Sequence, residues 1–251
     1  MVRISDSSKL LTAAFLLLLV ITGCSSLGQV QKQEIKPLKP QELPAGSGWW
    51  YARFHLSWPA DTEPVWYMDL CLAHQVFLPL LEIHKDDIDL WRFHRRAARD
   101  SAGRMFSFIF YANAPTAQHI FNALETDHLV NQLKVDGVIE RTEYDDPTRI
   151  TRPNIEDTSD QKWPVSIQKT WPYYIMGASQ MWLNLIAEVA AEYPEDLAPT
   201  SSKEIEAYYQ QIDKTILELW QQEGRHAFMH HLNALFEYEP LIYREKRYLN
   251  F

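Results

Sequence analysis

Cysteine is scarce in this chain: Cys24 and Cys71 are the two copies among 251 residues. Two thiols cannot form the disulfide framework that staples small secreted domains, so packing has to hold the fold. Glycine is sparse too, with eight copies and no glycine-rich loop of the kind that cradles phosphates. No cofactor-binding motif is present. The longest apolar run, Leu10 to Ile21, falls short of the roughly 20 residues that cross a bilayer as a helix. Basic residues are outnumbered, 24 against 33, for a net charge of −9. That balance excludes nucleic acid as a general partner, because phosphate binding needs a basic footprint. Ser179, in "MGASQM", lacks the flanking pattern of the Gly-x-Ser-x-Gly nucleophile elbow.

What the sequence does carry begins at its N-terminus. Arg3 and Lys9 precede the apolar run, and Ile21-Thr22-Gly23-Cys24 follows it, the three-part build of a secretory signal. These residues resemble the lipobox of bacterial lipoproteins. The resemblance implies cleavage after residue 23, lipidation of Cys24, and attachment to a membrane through acyl chains, of which two or more anchor stably. Ser25 after the cysteine looks like an outer-membrane address, so the expected location is the cell envelope, facing the periplasm. The remaining 228 residues hold 22 basic and 32 acidic side chains, and Cys71 is their one free thiol. Residues 24–48 have no aromatic side chain and carry three prolines and a Gly-Ser end, a tether composition.

From Trp49 the pattern changes. "WWYARFHLSW" alternates as a half-buried strand, with Trp50, Ala52, Phe54 and Leu56 on one side and Tyr51, Arg53 and His55 on the other. Asp61 or Thr62 is placed to cap a helix opened by Pro64, with Trp66, Leu70, Ala73, Phe77 and Leu81 at helical spacing and a kink at Pro79. Residues 89–96 and 104–112 alternate around the turn residues "ARDSAG", which predicts a β-hairpin. Residues 114–133 read as one helix with Ile120, Leu124 and His128 on a stripe, and Val138 to Tyr144 as a last strand. The order strand, helix, strand, strand, helix, strand is the ferredoxin-like split βαβ arrangement. Residues 49–146 are therefore expected to form an α+β region. Residues 147–251 are expected to be helical and packed on it: a helix from Pro172 with Ile175, Ala178, Trp182, Leu185 and Val189 inward, a capping box at Ser201 to Glu204 opening a second that Gly224 ends, and a third around Phe228 and Leu232.

One cluster stands out as a candidate site. Arg92, His94 and Arg96 share a face of the hairpin, and Arg53 and His55 lie on the polar face of the first strand. Guanidinium forks on one sheet face can hold a carboxylate or phosphate. The competing reading is a cross-strand charge ladder with Glu140 or Glu143. Arg99 and Asp100, in the turn, are expected to be solvated. "HAFMHH" puts His226 and His230 one helical turn apart, a spacing able to chelate a metal, but no third ligand is signposted. Cys71, His74, His84, His119 and His128 read as structural. Trp49, Tyr51 and Trp163 fall off the core faces and are the rings free for a glycan.

The span from "WWYARFHLSW" to "LWRFHRRAARDSAGRMFSFIFYAN", with the helix, strand and helical tail that follow, is similar to the thiopeptide-type domain at the C-terminus of lantibiotic dehydratases, over roughly residues 49–190. The resemblance implies the sheet fold and points to Arg92, Arg95 and Arg104. The second hairpin strand, "MFSFIF", lacks the interleaved arginines of that family's elimination site, so the fold is what carries over. The expected function is non-enzymatic: a lipid-anchored binding or assembly component with an envelope protein partner. The alternative is an enzyme or small-anion binder using the Arg/His face.

Overall fold

A computed structural model describes residues 46–193 and 202–240. The signal segment, Cys24, most of the tether, Ser201 of the expected capping box and residues 241–251 lie outside the described residues. The described chain is α+β. Four strands, β1 (Ser47–Leu56), β2 (Ile88–Ala97), β3 (Arg104–Asn113) and β4 (Ile139–Tyr144), form one sheet in the order β2-β3-β1-β4, every neighbour antiparallel. Two helical crossovers, one between β1 and β2 and one between β3 and β4, make this the ferredoxin-like split βαβ order. Among the described residues no helix is long and apolar enough to cross a membrane.

Alternation in the strands sorts their side chains. Trp50, Ala52, Phe54, Trp91, Phe93, Phe106, Phe108 and Phe110 turn to the helices and are buried. The first crossover comprises α1 (Tyr67–Leu72), a π-helical segment (Ala73–Phe77) and α2 (Leu78–Ile83). Phe77 is the hub of the aromatic core, 4.8 Å from Phe108 and 5.5 Å from Phe54 between ring centroids. The expected kink at Pro79 takes the form of the π segment just before it. Proline has no N–H for an i−4 bond and its ring crowds that carbonyl, which a wider turn relieves. The helix itself opens at Tyr67, after Pro64; Thr62 serves the preceding loop instead, its hydroxyl donating to Pro59 O at 2.9 Å.

The second crossover is two helices where one was expected: α3 (Ala114–Thr126) and α4 (His128–Val135). Asp127 adopts an extended backbone and accepts a hydrogen bond from Val130 N at 2.8 Å, capping α4. The break removes His128 from the apolar stripe, which passes from Leu124 to Val130 and Leu133.

Helix α5 (Val165–Ala191) starts seven residues before Pro172, which sits in its interior. Pro172 cannot donate to the Gln168 carbonyl four residues back, and that carbonyl accepts from Ser159 Oγ at 2.7 Å instead. The buried stripe runs through Ser179, Leu183, Ile186, Val189 and Ala190; of the expected inward positions Val189 is buried, while Ile175, Ala178, Trp182 and Leu185 are half-buried at its margin. Helix α5 lies along β2, where Ser179 Oγ accepts from Phe93 N at 3.2 Å and covers the sheet edge. Helix α6 (Ser202–Gly224) buries Ile205, Tyr209, Ile212 and Ile216 against α1 and α5. Gly224 ends the regular helix, but the chain winds on through a π turn (Arg225–His230) into α7 (His231–Ala234), where the expected apolar position Leu232 is exposed, as are Leu235 and Phe236 just after it.

The sheet's second face is partly covered. Residues 145–158 cross one end of it, where Trp49, Leu90, Ile109 and Tyr111 form a separate buried cluster beneath Ile155 and Met176. Gly48 is needed there: a Cβ would stand 2.6 Å from Ile150 Cγ2 and 3.0 Å from Arg152 O.

Candidate functional site

The second sheet face carries the candidate residues in lateral rows. Strand register sets Arg92 beside Ile109 and Tyr51; His94 beside Ser107, Arg53 and Glu143; and Arg96 beside Met105, His55 and Arg141. All five sequence-predicted residues thus share one face. They do not share one job.

Arg53, His55 and Arg96 have partners. Arg53 Nη1 is 3.3 Å from both Glu143 Oε1 and Asp145 Oδ1, and His55 Nε2 is 3.4 Å from Glu143 Oε2. Asp145 also binds Arg152 and accepts from Tyr51 N at 3.0 Å, so the Tyr51 ring lies between two guanidiniums, 4.4 Å from Arg53 and 4.3 Å from Arg152. Glu143 rather than Glu140 completes this charge ladder. Such pairs at a surface are worth about 0–1 kcal/mol each. Arg96 pairs with Asp100, whose carboxylate also accepts from Ala102 N and Gly103 N and shapes the turn. The bond from Arg96 holds the Asp100 carboxyl down at about 2.

Arg95 and Arg104, on the helix-facing side, are structural. Asp69 is fully buried and accepts from Arg95 Nε at 2.6 Å and Arg104 Nη2 at 2.5 Å. Both guanidiniums lie against the Trp66 ring, at 4.9 and 4.4 Å. No sequence signal marks Asp69 as their partner, because it lies 26 and 35 residues away. Arg99, expected to be solvated, is exposed but engaged: it stacks 3.4 Å over Trp58 and donates to the carbonyls of Trp58, Pro59 and Thr62. The loop supplies carbonyls that a free turn would leave to water.

Arg92 differs from the others. It is 8% exposed, and among the described residues no carboxylate or carbonyl bonds its guanidinium; its enclosed Nε has no partner, as is true of Arg104 and Arg152, but those two have bonds to their terminal nitrogens. Its guanidinium lies 4.9 Å over the Trp171 ring of α5. A cleft of about 520 Å³ opens beside it between β2 and α5, walled by Trp163, Trp171, Ile175, Ala178 and Trp182, with His94 and Asp160 among its polar groups. Trp163 and Trp171 meet edge to face at 5.5 Å. Partial desolvation, together with the Arg92 and Arg96 charges, pushes His94 below its ordinary value. The cleft's far wall is not legible in the sequence because Ile175, Ala178 and Trp182 sit one position out of phase with the buried stripe, at its margin, and apolar spacing alone assigns them to the core.

The remaining candidates separate. Trp49 is not free for a glycan: it is 1% exposed and its Nε1 donates to Asn154 O and Ile155 O. His226 and His230 stack at 5.3 Å with His231 close by, yet no group of three metal-competent side chains converges among the described residues. Cys71 is a core residue, and burial pushes its thiol up to about 12. Comparison with protein-family models, curated proteins and solved structures finds no match for this chain.

Proposed function

We propose that this protein is a lipid-anchored component of the cell envelope that binds a small ligand in the cleft between β2 and α5. Arg92 carries the reading. A buried guanidinium normally has a carboxylate or a set of carbonyls around it, since an unsatisfied buried group costs about 1–3 kcal/mol and a charged one more. Arg104, the other buried arginine among the described residues, meets that rule through Asp69, and the more exposed Arg95, Arg96 and Arg99 also have partners. Arg92 breaks it at the floor of an aromatic cleft whose volume lies within the roughly 300–1,000 Å³ of ligand pockets. A bound anion on the terminal nitrogens would supply the opposite charge that the fold omits. Binding rather than catalysis is favoured because the one hydroxyl lining the cleft, Ser179 Oγ, is already engaged, accepting from Phe93 N and donating to Ile175 O.

The envelope address rests on the sequence around Cys24, and an assembly role with a protein partner is the second reading. The exposed side chains Trp220, Leu232, Leu235 and Phe236 favour that second reading.

The test is the melting temperature of the detergent-solubilised full chain against carboxylates, phosphates, peptidoglycan fragments and divalent metals. A ligand at 100 times its Kd adds about 2.7 kcal/mol. Each kcal/mol moves a domain of this size by roughly 2–4 °C. A rise of several degrees that vanishes in Arg92→Met supports the cleft. A rise that survives the substitution places binding elsewhere and overturns it.

A further inference from the structure

The chemistry of the cleft narrows the ligand further, and this step rests on the binding reading above. Its first constraint is charge. Arg92 is the cation left open: Arg95 spends Nε on Asp69 and Nη2 on the Trp66 carbonyl, and Arg96 spends its fork on Asp100. Asp160, on the cleft wall, adds a negative charge. A dianion would face one guanidinium and one carboxylate, whereas a monoanion matches the single fork.

The second constraint is the backbone. An extended peptide would need free donors and acceptors along the β2 edge, but Phe93 N already donates to Ser179 Oγ and α5 occupies that edge. Nor does any glycine stand among the residues lining the cleft, so no close-approaching backbone is available to wrap a phosphate. The third constraint is the wall. Trp163, Trp171 and Trp182 offer ring faces and edges, with Ile175 and Ala178 between them. Flat apolar groups gain most from such a surface, by offset or edge-to-face contact.

We infer that the cleft takes a monocarboxylate with a flat, aromatic apolar body, the carboxylate on the terminal nitrogens of Arg92 and the ring against the tryptophans of α5. Carboxylate and ring are both required. The guanidinium supplies orientation, and the tryptophans supply the contact area that a lone carboxylate lacks.

The experiment is isothermal titration of the detergent-solubilised full chain with phenylacetate, acetate, phenyl phosphate and phenethylamine at pH 7. Phenylacetate should bind at least tenfold more tightly than each of the other three. Arg92→Met should weaken it by tenfold or more, and Trp171→Ala should weaken it by a similar factor. Arg92→Lys should restore part of the affinity, since it returns the charge without the fork. Circular dichroism of each variant verifies that the fold is intact.

If phenyl phosphate or phenethylamine binds more tightly than phenylacetate and Trp171→Ala abolishes that binding, the cleft stands as a ligand site but the monocarboxylate class is wrong. If phenylacetate binds equally well to wild type and Arg92→Met, the inference fails and Arg92 is not the anchor. If none of the four probes binds, both the ligand class and the cleft reading fall.

Discussion

Replacing Arg92 by methionine should stabilise the protein. The side chain is 8% exposed, its Nε has no partner, and no carboxylate offsets its charge. Removing a buried, unsatisfied polar group relieves about 1–3 kcal/mol. The loss on the other side is the contact 4.9 Å over Trp171, a cation–π interaction worth about 0.5–2 kcal/mol. Methionine keeps an apolar stem of similar reach, so little packing is lost. The balance favours the variant by about 1 kcal/mol, or roughly 2–4 °C in Tm for a chain of this size. Urea unfolding at pH 7, followed by circular dichroism with no ligand added, measures it. A destabilisation of more than about 1 kcal/mol would refute the reasoning, because it would mean that Arg92 holds the fold together as Arg104 does.

Other substitutions separate the structural from the functional residues. Asp69→Ala should cost about 3–5 kcal/mol in urea unfolding, since it strands the buried Arg104 guanidinium and also takes the carboxylate from the half-exposed Arg95. Glu143→Ala should cost under about 1 kcal/mol in the same assay, because the ladder to Arg53 and His55 is partly solvated. Stability should decline as pH falls below the ordinary histidine value of 6.5. Burial lowers the His74 pKa in the folded state, so the unfolded chain takes the proton first and the folded state loses ground. Tyr209 Oη accepts from Gln75 Nε2 at 2.8 Å and shares a hydrogen bond of 2.9 Å with His74 Nδ1. His74→Gln should flatten the slope of unfolding free energy between pH 7 and 5; an unchanged slope would contradict this. Cys24→Ala should abolish labelling by radioactive palmitate and release the protein from the membrane fraction; retention of both would remove the anchor from the proposal.

Much of the fold was legible in the strands and little of it at the prolines. Alternation of Trp50, Ala52 and Phe54 against Tyr51, Arg53 and His55 is a local property, and the sheet obeys it. The two-crossover order followed from chain order alone. Pro172 and Asp127 misled because their effects depend on tertiary partners: Ser159 Oγ satisfies the carbonyl that Pro172 leaves open, and Asp127 caps a helix where periodicity reads straight through. The candidate site was half visible. Alternation placed Arg92 on the second face with His94 and Arg96, but it could not separate a paired guanidinium from an open one. Asp69, Asp100 and Asp145 decide that, and two of the three lie far along the chain from the arginines they bind. The tether's end was placed at Gly48, while β1 starts at Ser47, where Gly48 lets the strand pass beneath Ile150 and Arg152.

The most direct test of Arg92 as a ligand anchor is its own Nε–H resonance in the ¹⁵N-labelled full chain in detergent, assigned by its loss in Arg92→Met and followed during a titration with phenylacetate. A carboxylate seated on the guanidinium should shift that resonance saturably, while the Arg104 signal, whose guanidinium is held by Asp69 and does not line the cleft, stays in place. An Arg92 signal that does not move while phenylacetate binds, or that moves only in step with every other arginine, would contradict the account.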